Sequence, residues 1–175
     1  MIHMVQFFEL LENKVPVKII RFFLENPTSN FYEREIQVKT NLSKGSVNKW
    51  LKKLEEAGII EAETKGRLRI FKLNNLNPLI KQLKTLYIMD KIYHKINEFE
   101  GCRIFLYGSA ARGEYDEKSD IDLLVIGNNR SVIQRIKEID NKINVSFYTP
   151  IEWSRAGRED PAFFQRVEKE KIRLI

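Results

Sequence analysis

The chain has 175 residues, 43% hydrophobic and 31% charged, a balance typical of a globular protein with one ordinary domain or two small ones. Its 30 basic and 24 acidic side chains give a net charge of +6, which favours an anionic partner without identifying one. One cysteine and two histidines exclude a disulfide framework, a cysteine-based zinc cluster and a histidine-rich metal site.

Two features of the sequence bear on its location. Phe7 and Phe8 are soon followed by Glu9 and Glu12, so the start of the chain does not match the apolar region of a signal peptide. No apolar run approaches the ~20 residues that a membrane span needs. We therefore expect a cytoplasmic protein with no membrane partner.

The first 78 residues are predicted to form three helices followed by a β-hairpin. The first helix has apolar residues at helical spacing and ends before Asn26 and Pro27. Ser43 is a suitable N-cap for the third helix, and Gly58 ends it. The predicted elements are helices 15–24, 33–39 and 44–57 and strands 59–64 and 68–73.

A turn-rich stretch over 74–78 marks a domain boundary. Beyond it, residues 79–99 are predicted to form a long amphipathic linking helix, which either packs between domains or forms a dimer seam. Residues 100–175 alternate strands with helices over short connections, which indicates a small mixed sheet and an α+β fold class. The predicted domains are 1–78, 79–99 and 100–175, and the predicted elements of the last are strands 103–107, 121–126 and 143–148, helix 131–139 and one or two terminal helices.

The third predicted helix has two chemically different faces. Val47, Leu51 and Leu54 lie together toward the core, and the opposite face carries amide and lysine groups that suit the major groove of DNA. Lysines neutralise phosphates, while Asn48 is placed to read a base edge. The alternative is that these lysines form a solvated face. The predicted DNA-binding residues of this helix and of the hairpin are Lys44, Gly45, Asn48, Lys49, Lys52, Lys65, Arg67 and Arg69.

The segment SKGSVNKWLKKLEEAGIIEAETKGRLRIFKL resembles the winged helix-turn-helix family. Its most specific part is the Leu-x-x-Leu-x-x-x-Gly-Ile-Ile step into the wing, and the resemblance covers about residues 10–75. Such domains generally bind duplex DNA as dimers, although some serve only as protein-binding modules. The resemblance therefore implies duplex DNA as a partner and a homodimer as the assembly.

The segment FLYGSAARGEYDEKSDIDLLVIG carries the main chemical signal of the second half. An apolar strand ends in Gly108 and Ser109, and ten residues later Asp120 and Asp122 flank one isoleucine at the start of another strand. Residues i and i+2 of a strand share a face, so the two carboxylates lie ~6–7 Å apart and repel each other. A divalent cation such as Mg²⁺ would balance them, and Arg112 and the Gly-Ser turn suit a phosphate.

These residues are similar to the minimal nucleotidyltransferases of the DNA polymerase beta superfamily, whose signature is Gly-Ser, ten residues and Asp-x-Asp. The tail YTPIEW…DPAFFQRVEKEKIRLI also looks like archaeal and bacterial members fused to a winged helix. The resemblance implies transfer of a nucleotidyl group, most often AMP from ATP, to a hydroxyl of a protein or small molecule. It implies two Mg²⁺ ions on Asp120 and Asp122, catalytic roles for Asp120, Asp122 and Ser109, and nucleotide binding by Gly108, Ser109, Arg112 and Ser119.

The sequence departs from this family at one point. Active relatives carry a third carboxylate on the next strand, but strand 143–148 contains no acid, and Asn144 and Ser146 share its polar face. The nearest acids, Asp140 and Glu152, lie outside the strand. Two hypotheses therefore stay open: an active nucleotidyltransferase with a DNA-binding domain, or a DNA-binding regulator or antitoxin whose second domain senses nucleotide or holds a partner such as a HEPN-type toxin.

Overall fold

The structure is a computed structural model in which residues 11–175 are described. The chain divides into two compact units, Met1–Ile80 and Lys81–Ile175. The argument against a signal peptide from Phe7 and Phe8 lies outside the described residues. Within residues 11–175, no helix is both long enough and apolar enough to cross a membrane.

The described part of the first unit contains three helices, a three-stranded antiparallel sheet and the start of a fourth helix. The helices pack on one another, and their apolar faces bury Ile19, Phe23, Ile36, Leu51 and Leu54. The strand order is β1-β3-β2, with the hairpin of β2 and β3 forming the wing. The elements are α1 (Lys14–Glu25), β1 (Phe31–Tyr32), α2 (Glu33–Thr40), α3 (Lys44–Glu56), β2 (Ile60–Lys65) and β3 (Leu68–Leu73).

Two tight turns position the polar groups of this unit. Asn41 ends α2 in the left-handed region with φ of 50°, and Ser43 then caps α3 by accepting a hydrogen bond from the Ser46 N–H at 3.2 Å. At the tip of the wing, Gly66 has φ of 65°, as the first position of a type II′ hairpin turn requires. The first turn sets α3 after α2, and the second exposes Arg67.

The second unit contains a four-stranded mixed sheet with helices on both faces. Its strand order is β6-β5-β4-β7, with β5 parallel to β6 and β4 antiparallel to both β5 and β7. Helix Pro78–Ile96 starts in the first unit and continues through the start of the second. The elements are α4 (Pro78–Ile96), β4 (Cys102–Tyr107), α5 (Gly108–Ala111), β5 (Ile121–Gly127), α6 (Val132–Lys137), β6 (Ile143–Tyr148), α7 (Pro150–Glu159), α8 (Pro161–Glu170) and β7 (Ile172–Arg173).

The two faces of this sheet belong to different apolar clusters. One face buries Ile121, Leu123 and Val125 against Ile92 and neighbouring residues of α4 and against α6. The other face presents Phe105, Leu124 and Ile126 to Trp153 and Val167, which lie on α7 and α8. Because successive residues of β5 alternate between these clusters, Ile121 is buried on one face and Asp122 projects on the other.

The predicted α+β class, the winged helix and the mixed sheet are confirmed. The strands β1 and β7 were not predicted, because each has two residues and exists only through pairing with a distant strand. The domain boundaries 1–78, 79–99 and 100–175 stay a prediction, since helix Pro78–Ile96 runs across the division between the units.

Gly113→Ala is expected to lower the free energy of unfolding by about 2–4 kcal/mol, measured by urea denaturation. The backbone at Gly113 has φ of 64°, and an added Cβ would lie 2.0 Å from the carbonyl oxygen of Lys81. Gly101→Ala is the matched control, because Gly101 has φ of 73° and open space around it, so only the backbone cost of ~1–2 kcal/mol applies. Equal losses for the two variants would contradict the close packing at Gly113.

Candidate functional site

Three neighbouring strands bring polar side chains to one place on the sheet of the second unit. Asp122 lies opposite Tyr107 in the pairing with β4 and opposite Asn144 in the pairing with β6. Paired positions of adjacent strands share a face, so these three side chains project to the same side. Asn144 Nδ2 donates a hydrogen bond to Asp122 Oδ1 at 3.1 Å, and the Tyr107 and Ser146 hydroxyls are 2.9 Å apart.

Gly108 allows the backbone to pass directly beside Asp122. Its φ is 73°, and a Cβ there would lie 2.5 Å from Asp122 Oδ2, closer than such atoms approach each other. The Gly108 N–H donates a hydrogen bond to Glu170 Oε1 at 2.9 Å. The site therefore combines a carboxylate with a backbone donor that already holds an anionic oxygen.

Burial is the main reason that the pKa of Asp122 lies above its ordinary value. The hydrogen bond from Asn144 opposes that rise, while the negative charges of Asp120 and Glu170 add to it. Asp120 is exposed and directly precedes β5. Its negative charge raises the pKa of Asp122. The predicted pair of aspartates thus consists of one half-buried and one exposed carboxylate that repel each other.

The residues present fit Mg²⁺ in kind. Asp120 and Asp122 offer carboxylate oxygens, and Mg²⁺ in proteins is commonly held by one or two carboxylates together with the phosphates of a substrate. Among residues 11–175, no group of three or more His, Cys, Asp and Glu side chains is placed to hold a metal ion. The two carboxylates therefore suit a Mg²⁺ ion that takes its other ligands from a phosphate-containing substrate.

The place expected for a third carboxylate on β6 holds Asn144. The two acids nearest in sequence have other partners. Asp140 pairs with Lys91 at 2.5 Å and accepts from the Lys142 N–H at 2.9 Å. Glu152 caps α7 by accepting from the Thr149 N–H at 2.7 Å. Neither acid completes the site.

The remaining predicted nucleotide-binding residues lie on the segment between β4 and β5. Ser109 follows Gly108 in α5 and is half-buried. Arg112 Nε donates to Glu114 at 2.8 Å, and its Nη1 donates to Glu170. Ser119 exchanges hydrogen bonds with Asp116, its hydroxyl donating to Oδ1 and accepting from the N–H, both at 2.9 Å. The structure thus gathers Gly108, Arg112 and Asp122 around Glu170, and Ser119 shapes the preceding loop.

In the first unit, α3 presents its predicted polar face to solvent. Gly45, Asn48, Lys49 and Lys52 are exposed, and nothing lies within 4 Å of a Cβ placed at Gly45. Asn48 Nδ2 donates to Glu33 at 3.2 Å, a contact that a base edge would have to replace.

Lys65 and Arg67 are exposed on the wing, whereas Arg69 Nη2 is held 2.6 Å from both carboxylate oxygens of Glu55. A groove of about 960 Å³ lies between α2 and the wing and brings Lys44, Arg67 and Arg69 to its walls. The groove therefore connects the start of α3 with the wing.

Comparison with known proteins assigns the two units. Residues 13–61 match the family of winged helix-turn-helix DNA-binding domains, and residues 89–173 match the family of nucleotidyltransferase domains. The chain joins a winged helix-turn-helix domain to a nucleotidyltransferase domain. Both resemblances inferred from the sequence are thereby confirmed, and no curated protein matches the chain.

Two solved structures are similar to part of the chain. The homodimeric winged helix-turn-helix DNA-binding domain of Mycobacterium bovis Mb0332, described as a possible ArsR-family transcriptional regulator, is 15% identical. The match covers 53% of this chain and 82% of that one, with a TM-score of 0.42. M. tuberculosis Rv0081 is 21% identical over 52% of this chain and 85% of its own, with a TM-score of 0.40.

Sequence reasoning missed Glu170, the acid that contacts the Gly-Ser turn of the nucleotidyltransferase domain. Glu170 lies 62 positions after Gly108 and 58 after Arg112. It stands in a helix among Lys169 and Lys171, where an acid is ordinary. No local pattern distinguishes it, so only the fold reveals the contact.

Asp122→Asn is expected to raise the melting temperature by about 2 °C near neutral pH. Since the folded pKa of Asp122 lies above its unfolded value, the ionised carboxylate destabilises the fold above that folded pKa. The difference between variant and wild type should therefore vanish below the unfolded value of about 3.9. Calorimetric melts across this pH range measure both effects.

Asp116→Asn is the control with the opposite sign. The hydroxyl of Ser119 and the N–H of Lys118 donate to Asp116 and hold its pKa below the ordinary value, so its charge stabilises the fold near neutral pH. This variant should melt lower than the wild type, and the gap should close as the pH falls through the lowered pKa. A gain in stability from Asp116→Asn, or no gain from Asp122→Asn, would contradict the directions of the pKa shifts assigned to these two carboxyls.

Proposed function

We propose that the nucleotidyltransferase domain binds ATP with Mg²⁺ and transfers its nucleotidyl group to a hydroxyl of a protein or small molecule, while the winged helix binds duplex DNA. The observation that carries the first part is the contact between Gly108 and Asp122. It sets a backbone donor suited to phosphate beside a carboxylate suited to a cation, which are the two groups that a metal–triphosphate complex requires.

The groups on each side of this contact differ in chemistry, so each side is assigned a different part of the metal–triphosphate complex. Asp120 and Asp122 would hold Mg²⁺, and Gly108, Ser109 and Arg112 would hold phosphate oxygens. When bound, Mg²⁺ supplies neutralisation of the triphosphate charge. Asp122 favours this arrangement because its charge is half-buried and repelled by Asp120, so a nearby cation would relieve the cost that raises its pKa.

In the reaction, the acceptor hydroxyl oxygen forms a bond to the α-phosphorus of ATP. The bond from that phosphorus to the oxygen bridging it to the β-phosphorus breaks, and pyrophosphate leaves with the electron pair. The hydroxyl proton must pass to a base. Asn144 is neutral and cannot accept the proton, so it passes to water, and the absence of a positioned base costs ~10²–10⁴ in rate.

The same residue favours a second candidate function. With Asn144 hydrogen-bonded to Asp122, the site retains groups for nucleotide and metal while lacking the third acid of active relatives. A protein of this kind would be a DNA-binding regulator or antitoxin whose second domain senses nucleotide or holds a partner such as a HEPN-type toxin. Both candidates share nucleotide binding and differ in whether the label of α-labelled ATP is transferred.

A transfer assay with α-labelled ATP, Mg²⁺ and host lysate separates the two candidates. We expect label on a macromolecule with the wild type and a loss of at least about 100-fold with Asp122→Asn. Asn144→Asp supplies the missing acid and is expected to raise the rate by about 10–100-fold. Label that persists in Asp122→Asn would contradict the assigned site.

The result of that assay with Asn144→Asp decides whether the domain transfers a nucleotidyl group or only senses nucleotide. If neither wild type nor Asn144→Asp transfers label while both bind ATP, the transferase proposal fails and the sensor remains. A melting curve for each variant confirms that it is folded. Glu159→Gln, which neutralises an exposed carboxylate at the end of α7 in the same domain, serves as the matched control.

DNA binding by the winged helix is tested by Lys49→Ala combined with Lys52→Ala. Each lysine that contacts a phosphate releases counterions, so the slope of log K against log salt should become shallower by about 2, with weaker binding at low salt. Lys14→Ala with Lys18→Ala removes the same charge from α1 and should change the slope little. Equal effects of the two pairs, measured by anisotropy on a mixed-sequence duplex, would show that α3 is not the contact surface.

A further inference from the structure

The donors predicted to hold a phosphate are occupied by a side chain of the protein itself. The carboxylate of Glu170 accepts from the Gly108 N–H with one oxygen and from Arg112 Nη1 with the other. The Glu170 side chain is 11% exposed, so this contact is largely withdrawn from solvent. The carboxylate satisfies one backbone donor and one guanidinium, which is a recurrent donor pair for a phosphate group.

This placement of Glu170 sets a further negative charge near Asp122. The negative charge of Glu170 acts on Asp122, whose carboxylate also faces the charge of Asp120. Two guanidiniums oppose these negative charges: that of Arg112, which holds Glu170 and also pairs with Glu114, and that of Arg166, which lowers the pKa of Asp122. Release of Glu170 would therefore free one guanidinium and one backbone N–H for an incoming anion and remove one negative charge from the neighbourhood of Asp122.

We propose that Glu170 is an internal latch, which occupies the phosphate donors of Gly108 and Arg112 in the free protein and leaves them when a nucleoside triphosphate binds. The inference rests on the proposed nucleotide site. It adds that a side chain of the protein itself controls access to that site. Binding then exchanges one anion for another at the same donors, so the apparent affinity for nucleotide is lower than the donors alone would give.

The surroundings of Glu170 allow the exchange without unfolding the helix. Glu170 is the last residue of α8, which is anchored by buried Val167 on one side and by pairing of Ile172 with Leu106 on the other. Rotation about the side-chain bonds of Glu170 is enough to release the donors. Arg112 keeps its hydrogen bond to Glu114 after the release, and Glu114 is itself held by Lys81 at 3.2 Å.

The test compares dissociation constants for ATP with Mg²⁺ and for inorganic pyrophosphate, measured by calorimetry on the full chain. Glu170→Gln keeps the size of the side chain and removes its charge, and Glu170→Ala removes the carboxylate arm. We expect both variants to bind both ligands at least about fivefold more tightly than the wild type. Glu159→Gln removes the same charge at the end of α7, next to the opposite end of α8, and should bind as the wild type does.

Melting temperatures measured alongside separate a latch from a structural tie. A latch predicts tighter ligand binding even if the variants melt lower, whereas a tie predicts lower melting with unchanged or weaker binding. Unchanged or weaker binding, or failure of both variants to fold, would overturn the latch while leaving wild-type nucleotide binding as measured. If neither the wild type nor the variants bind ATP or pyrophosphate, the proposed nucleotide site itself fails, and the latch fails with it.

Discussion

The nucleotidyltransferase domain depends on the approach of the Gly108 backbone to the carboxylate of Asp122. No side chain fits between them, so the position requires glycine both for its space and for its positive φ. The approach is possible because β4 and β5 pair up to Tyr107 and Asp122, which aligns the turn with the start of β5. Everything that makes the site chemically distinctive follows from this alignment: a backbone donor, a half-buried acid, and a guanidinium one turn further on.

The presence of Asn144 beside Asp122 illustrates a balance between stability and catalysis. An acid at that position would face Asp122 and Asp120 without a cation and add to their repulsion, whereas the amide donates a hydrogen bond to Asp122. The amide therefore favours the free state of the domain, and it removes the group that would take a proton from an acceptor. Active sites commonly carry destabilising groups for the sake of chemistry, and β6 contains no acid that would add such a cost here.

Most of the fold was predictable because local sequence patterns indicate where its helices and strands begin and end. The alternation of Ile121, Leu123 and Val125 with Leu124 and Ile126 indicates a strand covered on both faces, and the Ser43 cap indicates where α3 begins. Among the contacts that escaped prediction, four features join distant parts of the chain. They are the two-residue strands β1 and β7, the pair of Arg69 with Glu55, and the contact of Glu170 with the Gly-Ser turn. Local pattern carries no information about such contacts, since the residues involved are ordinary for the helices and strands in which they stand.

The distribution of the two tryptophans gives each unit its own optical reporter. Trp50 is half-buried on α3, with the Lys53 ammonium 5.0 Å and the Lys49 ammonium 5.7 Å from its ring centroid. Trp153 is buried on α7, and its indole N–H donates to Glu168 at 3.1 Å. The first should fluoresce at longer wavelength and be quenched by iodide, while the second should emit toward the blue and be shielded from it. Ligand binding at α3 and at the sheet of the second unit could thus be followed separately in one solution, without attaching a dye.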